Sequence, residues 1–353
     1  MPRIAARLSQ GILAALVLWT FSLCSPDDLS AQGAKFYEGK TVRIIVGSSP
    51  GGSFDLWARI LAEHLGKYIP GTPSVIVQNM GGAGSLIASN YVYNVAAQDG
   101  TSLLVPLSIY LNQLTEEKEV KFDVRRFNWI GSQAKEQNVL YMRADSPYKT
   151  VAQVIKSDDP PKCGATGVGS SGYIIPKMVN EVLGAKIAVV SGYQSGKEVD
   201  LAVEKGEVHC RGITISSHFG REPFDTWHQK GFDLHLLQTS DKRDPRLTDT
   251  PTIYELMDQL KTPDLKRRAV RVLVAGGNFY HPVATGPGVP ADRVKLLREA
   301  FANALKDPEL LGKAEKARLE TNWSTGEQVQ TMVKELLDQP KPVFEIVKKV
   351  LEK

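Results

Sequence analysis

Thr41–Leu61 reads TVRIIVGSSPGGSFDLWARIL. Val42–Val46 is a short apolar run rich in β-branched residues, the composition of a buried strand. Gly47–Ser53 holds only small residues and one proline, and reads as a tight loop. From Asp55 to Tyr68 the residues Leu56, Ile60, Leu61 and Leu65 recur at helical spacing. A strand that passes through such a loop into a helix leaves the first helical N–H groups without partners. They lie at the positive end of the helix dipole. The guest this arrangement suits is an anion.

The same device recurs along the chain. Ser74–Gln78 is a second strand, Asn79–Ser85 (NMGGAGS) a glycine loop, Leu86–Ala96 a helix and Ser102–Leu107 a third strand. In the middle region Lys162–Ala165, Lys186–Val190 and Val208–Ile213 read as strands. Between them lie the loops Gly167–Gly172 and Gly192–Gly196 and the helices Tyr173–Leu183 and Lys197–Glu204. Two βαβαβ units predict an α/β protein of two lobes, each a mostly parallel sheet flanked by helices. Asn138–Arg143 and Phe232–Ala284 are the expected crossings between them. After Pro287 and Pro290 a helix over Asp292–Leu305 and further helix to the end are expected to pack back on the first lobe. The division is then 35–137 with 274–353 for lobe 1 and 138–273 for lobe 2. Two crossings of this kind permit hinge closure over a cleft.

The 353 residues suffice for two domains, and 42% hydrophobic with 23% charged residues is a globular composition. A net charge of +4 with no basic block excludes a nucleic-acid binder. Arg3 and Arg7 precede an apolar stretch, Gly11–Leu23, that is too short to span a bilayer. Ala31-Gln32-Gly33 supplies small residues for cleavage, so 1–34 reads as a secretory signal and the chain as periplasmic. Leu23 before Cys24 is bulky for a lipid-attachment motif. Cys163 and Cys210 remain, and a bridge or two buried thiols are both open readings. The six histidines show no ligand spacing, and His209-Cys210 alone makes no site. No metal, no cofactor and a monomer are expected.

Gly47–Gly51 fits G-x-S-x-G between a strand and a helix, the setting of a hydrolase nucleophile. Pro50 after Ser49 has no N–H for an oxyanion hole, which argues against it. A serine hydrolase using Ser49 or Ser170 is therefore the lesser alternative. Gly167–Gly172 fits G-x-G-x-x-G, but Lys186–Val190 ends in Ser191-Gly192 with no acid to hold a ribose. A dinucleotide is not expected there. The candidate ligand-binding residues are Ser48, Ser49, Gly51, Gly52, Ser53 and Asp55, then Ser108 and Tyr110 after the third strand. The middle lobe adds Gly169, Ser170, Ser171, Tyr193, Gln194 and Ser195. Asp55 reads first as a brace on the helix dipole and the loop, and second as a ligand contact. These loops hold almost no Lys or Arg, so an anion there must be held by backbone N–H groups and hydroxyls.

Several of these residues carry a resemblance. Pro50-Gly51-Gly52 with Asp55, Ala58 and Arg59, Asn79 with Gly82-Ala83-Gly84, and Asp99-Gly100-Thr101 come first. Gly167–Ser170, Gly192-Tyr193, Leu201-Ala202 with Gly206-Glu207-Val208, Asp244-Pro245-Arg246-Leu247 and Thr250-Pro251-Thr252 follow. In order and spacing they resemble the substrate-binding proteins of tripartite tricarboxylate transporters, the Bug proteins. The resemblance implies a type II periplasmic binding fold closing on a small carboxylate. It implies that Ser48–Ser53 grip the carboxylate and that Gly167–Gly172 and Gly192–Ser195 select the remainder. It also implies a membrane permease as partner or, in some members, a sensor kinase. Gly81 stands where many members have proline, Cys210 where glycine is common, and Gly276–Ala284 reads GGNFYHPVA in place of a Trp-Gly run.

Overall fold

The computed structural model describes residues 35–115 and 118–352. The signal reading of 1–34, Cys24 included, lies outside them. The strands are β1 (Thr41–Val46), β2 (Ser74–Asn79), β3 (Ser102–Val105), β4 (Asn128–Ala134), β5 (Asn138–Arg143) and β6 (Lys162–Ala165). They continue as β7 (Ala188–Ser191), β8 (Cys210–Thr214), β9 (Asp233–Gln238), β10 (Tyr280–Thr285) and β11 (Ser324–Thr325). They form a six-stranded sheet, β11-β4-β10-β3-β1-β2, and a five-stranded sheet, β7-β6-β8-β5-β9. The protein is an α/β molecule of two lobes.

Strand direction places the loops. β1 pairs in parallel with β2 and β3, so their following loops leave one edge of the first sheet. β10 is antiparallel to both β3 and β4, so β4 ends and β10 begins at that same edge. In the second sheet β6 is parallel to β7 and β8, while β5 is antiparallel to β8 and β9. The ends of β6, β7, β8 and β9 therefore share an edge with the start of β5. The chain crosses between sheets at 135–137 and returns through 275–279. Both sets of loops thus face the crossings.

Both sheets are mixed: β10 and β11 in the first and β5 in the second run antiparallel to their neighbours, while the remaining strands of each sheet share one direction. Asn138–Arg143, expected as a crossing, is instead the second sheet's β5, paired on both sides and buried through its middle. The crossing lies just before it.

Alternation along the strands divides the core. Ile44, Val46, Leu103 and Val105 meet Trp57, Leu61 and Phe301 of the helices Ser53–Leu65 and Ala291–Ala304. Ile45 and Leu104 face the other way, into a cluster that runs through Trp129 and Phe279 to Leu237 and Met178 of the second lobe. The last helix, Lys341–Leu351, was expected on the first lobe. It packs on the helices Ser171–Leu183 and Asp264–Val274. Its stripe of Val343, Val347, Val350 and Leu351 is buried with Met178, Val182, Val270 and Leu273. Each such side chain contributes roughly 1.5–3 kcal/mol on burial.

Cys163 and Cys210 form a disulfide with Cα atoms 4.4 Å apart. They sit directly opposite each other on the parallel neighbours β6 and β8, so the bridge is the one of the two open readings that holds. Among the described residues no helix is long and apolar enough to cross a membrane.

Candidate functional site

The loop after β1 opens the helix Ser53–Leu65. Gly52 caps it with extended backbone and no side-chain hydrogen bond, which leaves the first-turn N–H groups without a side-chain acceptor. A Cβ added at Gly51 or Gly52 would meet nothing within 4 Å, so the loop faces open space. Behind it the packing is tight. A Cβ at Gly47 would fall 1.5 Å from Ser85 Oγ, and one at Gly81 would lie 3.2 Å from Ser48 C and Ser49 N. The β1 and β2 loops therefore rest on each other. Leu107 N donates to Ser85 Oγ at 3.3 Å and ties in the loop after β3. Ser48 Oγ is buried without a partner, while Ser49 and Ser53 are exposed.

Asp55 holds this floor together. Its Oδ2 accepts from Gly51 N at 2.9 Å and Arg59 Nε at 3.0 Å, and its Oδ1 from Asn79 Nδ2 at 2.9 Å. Asn79 Nδ2 also donates to Ser48 O at 3.2 Å. Burial alone would raise the Asp55 pKa, but the Arg59, Gly51 and Asn79 donors outweigh it and hold the carboxyl below its ordinary value. Of the two roles expected for Asp55, the geometry supplies bracing, because both oxygens are already engaged.

Tyr110, expected among the ligand-binding residues, has its hydroxyl engaged as a brace. It is buried, and its Oη accepts from Gly276 N at 2.9 Å, which pins the returning crossing to the first lobe. Ser108 is exposed beside it, with its Oγ 3.2 Å from where a Gly276 Cβ would stand.

In the second lobe the expected hydroxyls serve local structure. Ser170 Oγ donates to Gly167 O at 2.7 Å and Ser171 Oγ to Gly212 O at 3.2 Å. Ser195 Oγ accepts from Glu198 N at 3.3 Å as an N-cap, and Gln194 N donates to Glu198 Oε2 at 2.8 Å. Gln194 and Gly169 are exposed, and Tyr193 is half-buried beside Gly164. What these loops retain for a ligand is backbone at the start of the helix Ser171–Leu183, whose N-cap Ser170 makes no side-chain bond to the first-turn N–H groups.

Three functional-site neighbours escaped the sequence reading. His281, with φ 51° in the left-handed region, places its Nε2 3.1 Å from Ser53 Oγ and its ring 4.5 Å from Phe54. Burial pushes its imidazole down to about 3, so it is neutral at physiological pH. Its Nδ1 is buried with no partner. A serine–histidine pair whose base is this weak and has no orienting carboxylate does not generate a nucleophile. Tyr280 stacks edge-on beside it at 4.2 Å. The signal for both was the unusual GGNFYHPVA segment.

The third is Glu136, in the crossing. Its N donates to Gly277 O at 2.7 Å, and its carboxylate accepts from Ser216 N at 3.2 Å and from Ser216 Oγ. Burial raises its pKa to about 7, with the Ser216 donors offsetting part of the effect. A folded value above the ordinary 4.5 means stability fully present below about pH 4.5 and lost as pH rises through about 7. Between pH 5 and 8 the loss is about 2.5 kcal/mol. Glu136→Gln is expected to remove this slope from a plot of unfolding free energy against pH. Parallel profiles for the two proteins would refute the assignment.

Residues 57–349 match the family described as "Tripartite tricarboxylate transporter family receptor". A Cupriavidus necator protein described as "UPF0065 protein in gbd 5'region" is 25% identical over 321 residues, covering 89% of each chain. A TctC solute-binding protein from Polaromonas superposes with a TM-score of 0.67 at 19% identity, covering 89% of this chain and 99% of that one. MatC of Rhodopseudomonas palustris, solved with bound malate, gives 0.60 at 18% identity, covering 89% and 99%. These two structures share the two-lobed fold. The matched family is one of transport receptors, not enzymes. With its profile covering most of the sequence, this chain belongs to the tripartite tricarboxylate transporter receptor family.

Proposed function

We propose that the protein captures a small organic carboxylate in the periplasm, between its two lobes, and delivers it to the membrane permease of a tripartite transporter. One observation carries the reading: the loops after β1, β2 and β3 and those after β6, β7 and β8 all face the same crossing segments. Closure about 135–137 and 275–279 brings helix N-termini from both lobes toward one point. We take the lobes as 35–137 with 274–340, and 138–273 with the C-terminal helix. The protein acts as a monomer, with one cleft per chain.

A ligand that meets both lobes only when they close favours the closed state by that difference in contact. No lysine or arginine stands in the open β1 loop, so the carboxylate is held by N–H groups and hydroxyls. The exposed hydroxyls of Ser49 and Ser53 stand on the open side of this loop. Three or four hydrogen bonds to a charged group, at roughly 1.5–3 kcal/mol each less ordering costs, reach the approximately 8 kcal/mol of micromolar binding. MatC, which shares the fold, was solved with bound malate, a small carboxylate.

The test is a thermal-shift screen of mono-, di- and tricarboxylates and aromatic acids, followed by calorimetry of each hit. The expected result is saturable stabilisation by one carboxylate class, with the matching amide or ester inactive. Stabilisation by uncharged or cationic solutes alone, or by none of the carboxylates, would overturn the proposal.

A further inference from the structure

Away from the cleft, on the edge of the second sheet, three of the six histidines meet one aspartate. Asp233 and His235 are two apart on β9, so both point to the same face, while Leu234 and Leu236 between and beyond them enter the core on the other. His228 comes from the helix Phe224–Lys230, and His218 ends the short helix Ile215–His218. Tyr141 of β5 stacks on His218 at 4.9 Å, and Phe219 lies against His228 at 4.7 Å and His235 at 5.7 Å.

The four donor atoms form a small cage. His218 Nε2 is 3.0 Å from Asp233 Oδ2, 2.9 Å from His235 Nε2 and 3.2 Å from His228 Nε2. Asp233 Oδ2 is 3.2 Å from His228 Nε2 and 3.6 Å from His235 Nε2. All four atoms lie within 4.8 Å of one another. A tetrahedron with bonds of about 2.0–2.1 Å has edges of about 3.3 Å, and the five distances cluster about that length. Hydrogen bonding alone does not account for the cage. His218 Nε2 carries at most one hydrogen, so it donates to at most one of its three close neighbours, and the four atoms pack closer together than their hydrogen bonds require. Asp233 Oδ2 is buried with no aligned donor.

We propose that His218, His228, Asp233 and His235 bind one Zn²⁺ in a closed, structural site. Imidazole nitrogens and a single carboxylate oxygen in tetrahedral array suit zinc, whereas Ca²⁺ and Mg²⁺ take six or more oxygen ligands in larger arrays. Four protein ligands leave no open position for catalysis. His218 and Asp233 are fully enclosed, while His228 and His235 are about one-fifth exposed and give the ion its entry. The other histidine cluster, His64 with Asp307 and Glu309, offers nothing comparable, because the Lys67 ammonium already lies 2.8 Å from Glu309 and 3.6 Å from Asp307.

The ion fixes a segment that touches the first lobe. Arg318 donates to Gly220 O and lies 3.7 Å from Asp225, both between the zinc ligands in sequence. Arg246, over the Phe219 ring, pairs with Glu320 at 3.3 Å. Zinc therefore stiffens the second-lobe side of this contact.

The experiment uses untagged, chelator-stripped protein dialysed against Zn²⁺ and then against buffer. The expected result is one zinc per chain by elemental analysis, with a Tm that rises with the logarithm of added zinc. Co²⁺ in its place is expected to give the intense visible bands of tetrahedral coordination. In H228Q/H235Q, two partly exposed positions, retained zinc falls at least tenfold while circular dichroism is unchanged. Wild-type protein that keeps no zinc and shows no shift in Tm would overturn the proposal. Undiminished zinc in H228Q/H235Q would overturn it too, by placing the metal elsewhere.

Discussion

Gly52→Trp is expected to abolish carboxylate binding and leave the fold intact. Gly52 has extended backbone, φ −85° and ψ 172°, which any residue adopts. A Cβ there meets nothing within 4 Å, so the indole enters empty space and not the core. That space is the mouth of the β1 loop, at the first-turn N–H groups of the helix Ser53–Leu65, which receive no side-chain cap. An indole in it screens those groups from an anion and obstructs closure of the opposite lobe. Affinity is expected to fall from the micromolar to the millimolar range, about 4 kcal/mol. Gly51 is the poorer probe, since its φ of 87° would add backbone strain to any substitution. Gly312→Trp is the control: a Cβ there is also unobstructed, but it lies on the helix Pro308–Lys316. Calorimetry with the carboxylate found by screening, alongside circular dichroism, decides the matter. Equal affinity in Gly52→Trp and wild type would remove the β1 loop from the site.

The β1 loop was legible because its signals are local. An apolar run, small residues and a helical repeat follow one another within Thr41–Leu65, and the chain folds there as that order requires. The antiparallel strands were not legible in the same way. Asn138–Arg143, NVLYMR, is short and apolar without clear alternation, and only pairing with β8 and β9 makes it a strand. Tyr110 illustrates the same limit. An aromatic after a strand reads as a candidate ligand contact until Gly276, 166 residues later, lays its N–H on the phenol. Asp55 was ambiguous because dipole bracing and ligand contact ask for the same residue at the same place. Arg59 and Asn79 decide between them by filling its oxygens. The histidine cage gave no motif, since its members come from two helices and a strand. Glu136 in one crossing and His281 in β10, just after the other, owe their shifted pKa values to burial, which no local pattern records.

Breaking the disulfide is expected to have an equally large effect, on stability. The bridge joins residues 47 apart, and closing a loop of that length in the unfolded chain corresponds to about 4 kcal/mol in the chain-entropy account. Cys163 and Cys210 are directly opposed on neighbouring strands, so the native register accommodates the bond. The location makes the effect wider than one bond. β6 leads into the loop that starts the helix Ser171–Leu183, and β8 leads to Ser216, which donates to Glu136 in the crossing. Loosening the two strands therefore frees one cleft loop and one end of the hinge contact together. Cys163→Ala/Cys210→Ala is expected to lower the urea midpoint by the equivalent of about 2–4 kcal/mol and to weaken carboxylate binding severalfold. Dithiothreitol is expected to reproduce the stability loss in wild type and to change nothing in the double variant. That comparison separates the covalent link from the volume of the lost sulfurs, because the variant lacks both and reduction removes only the link. A wild-type midpoint indifferent to dithiothreitol, with no gain of two thiols on reduction, would show that the strands are held by packing alone.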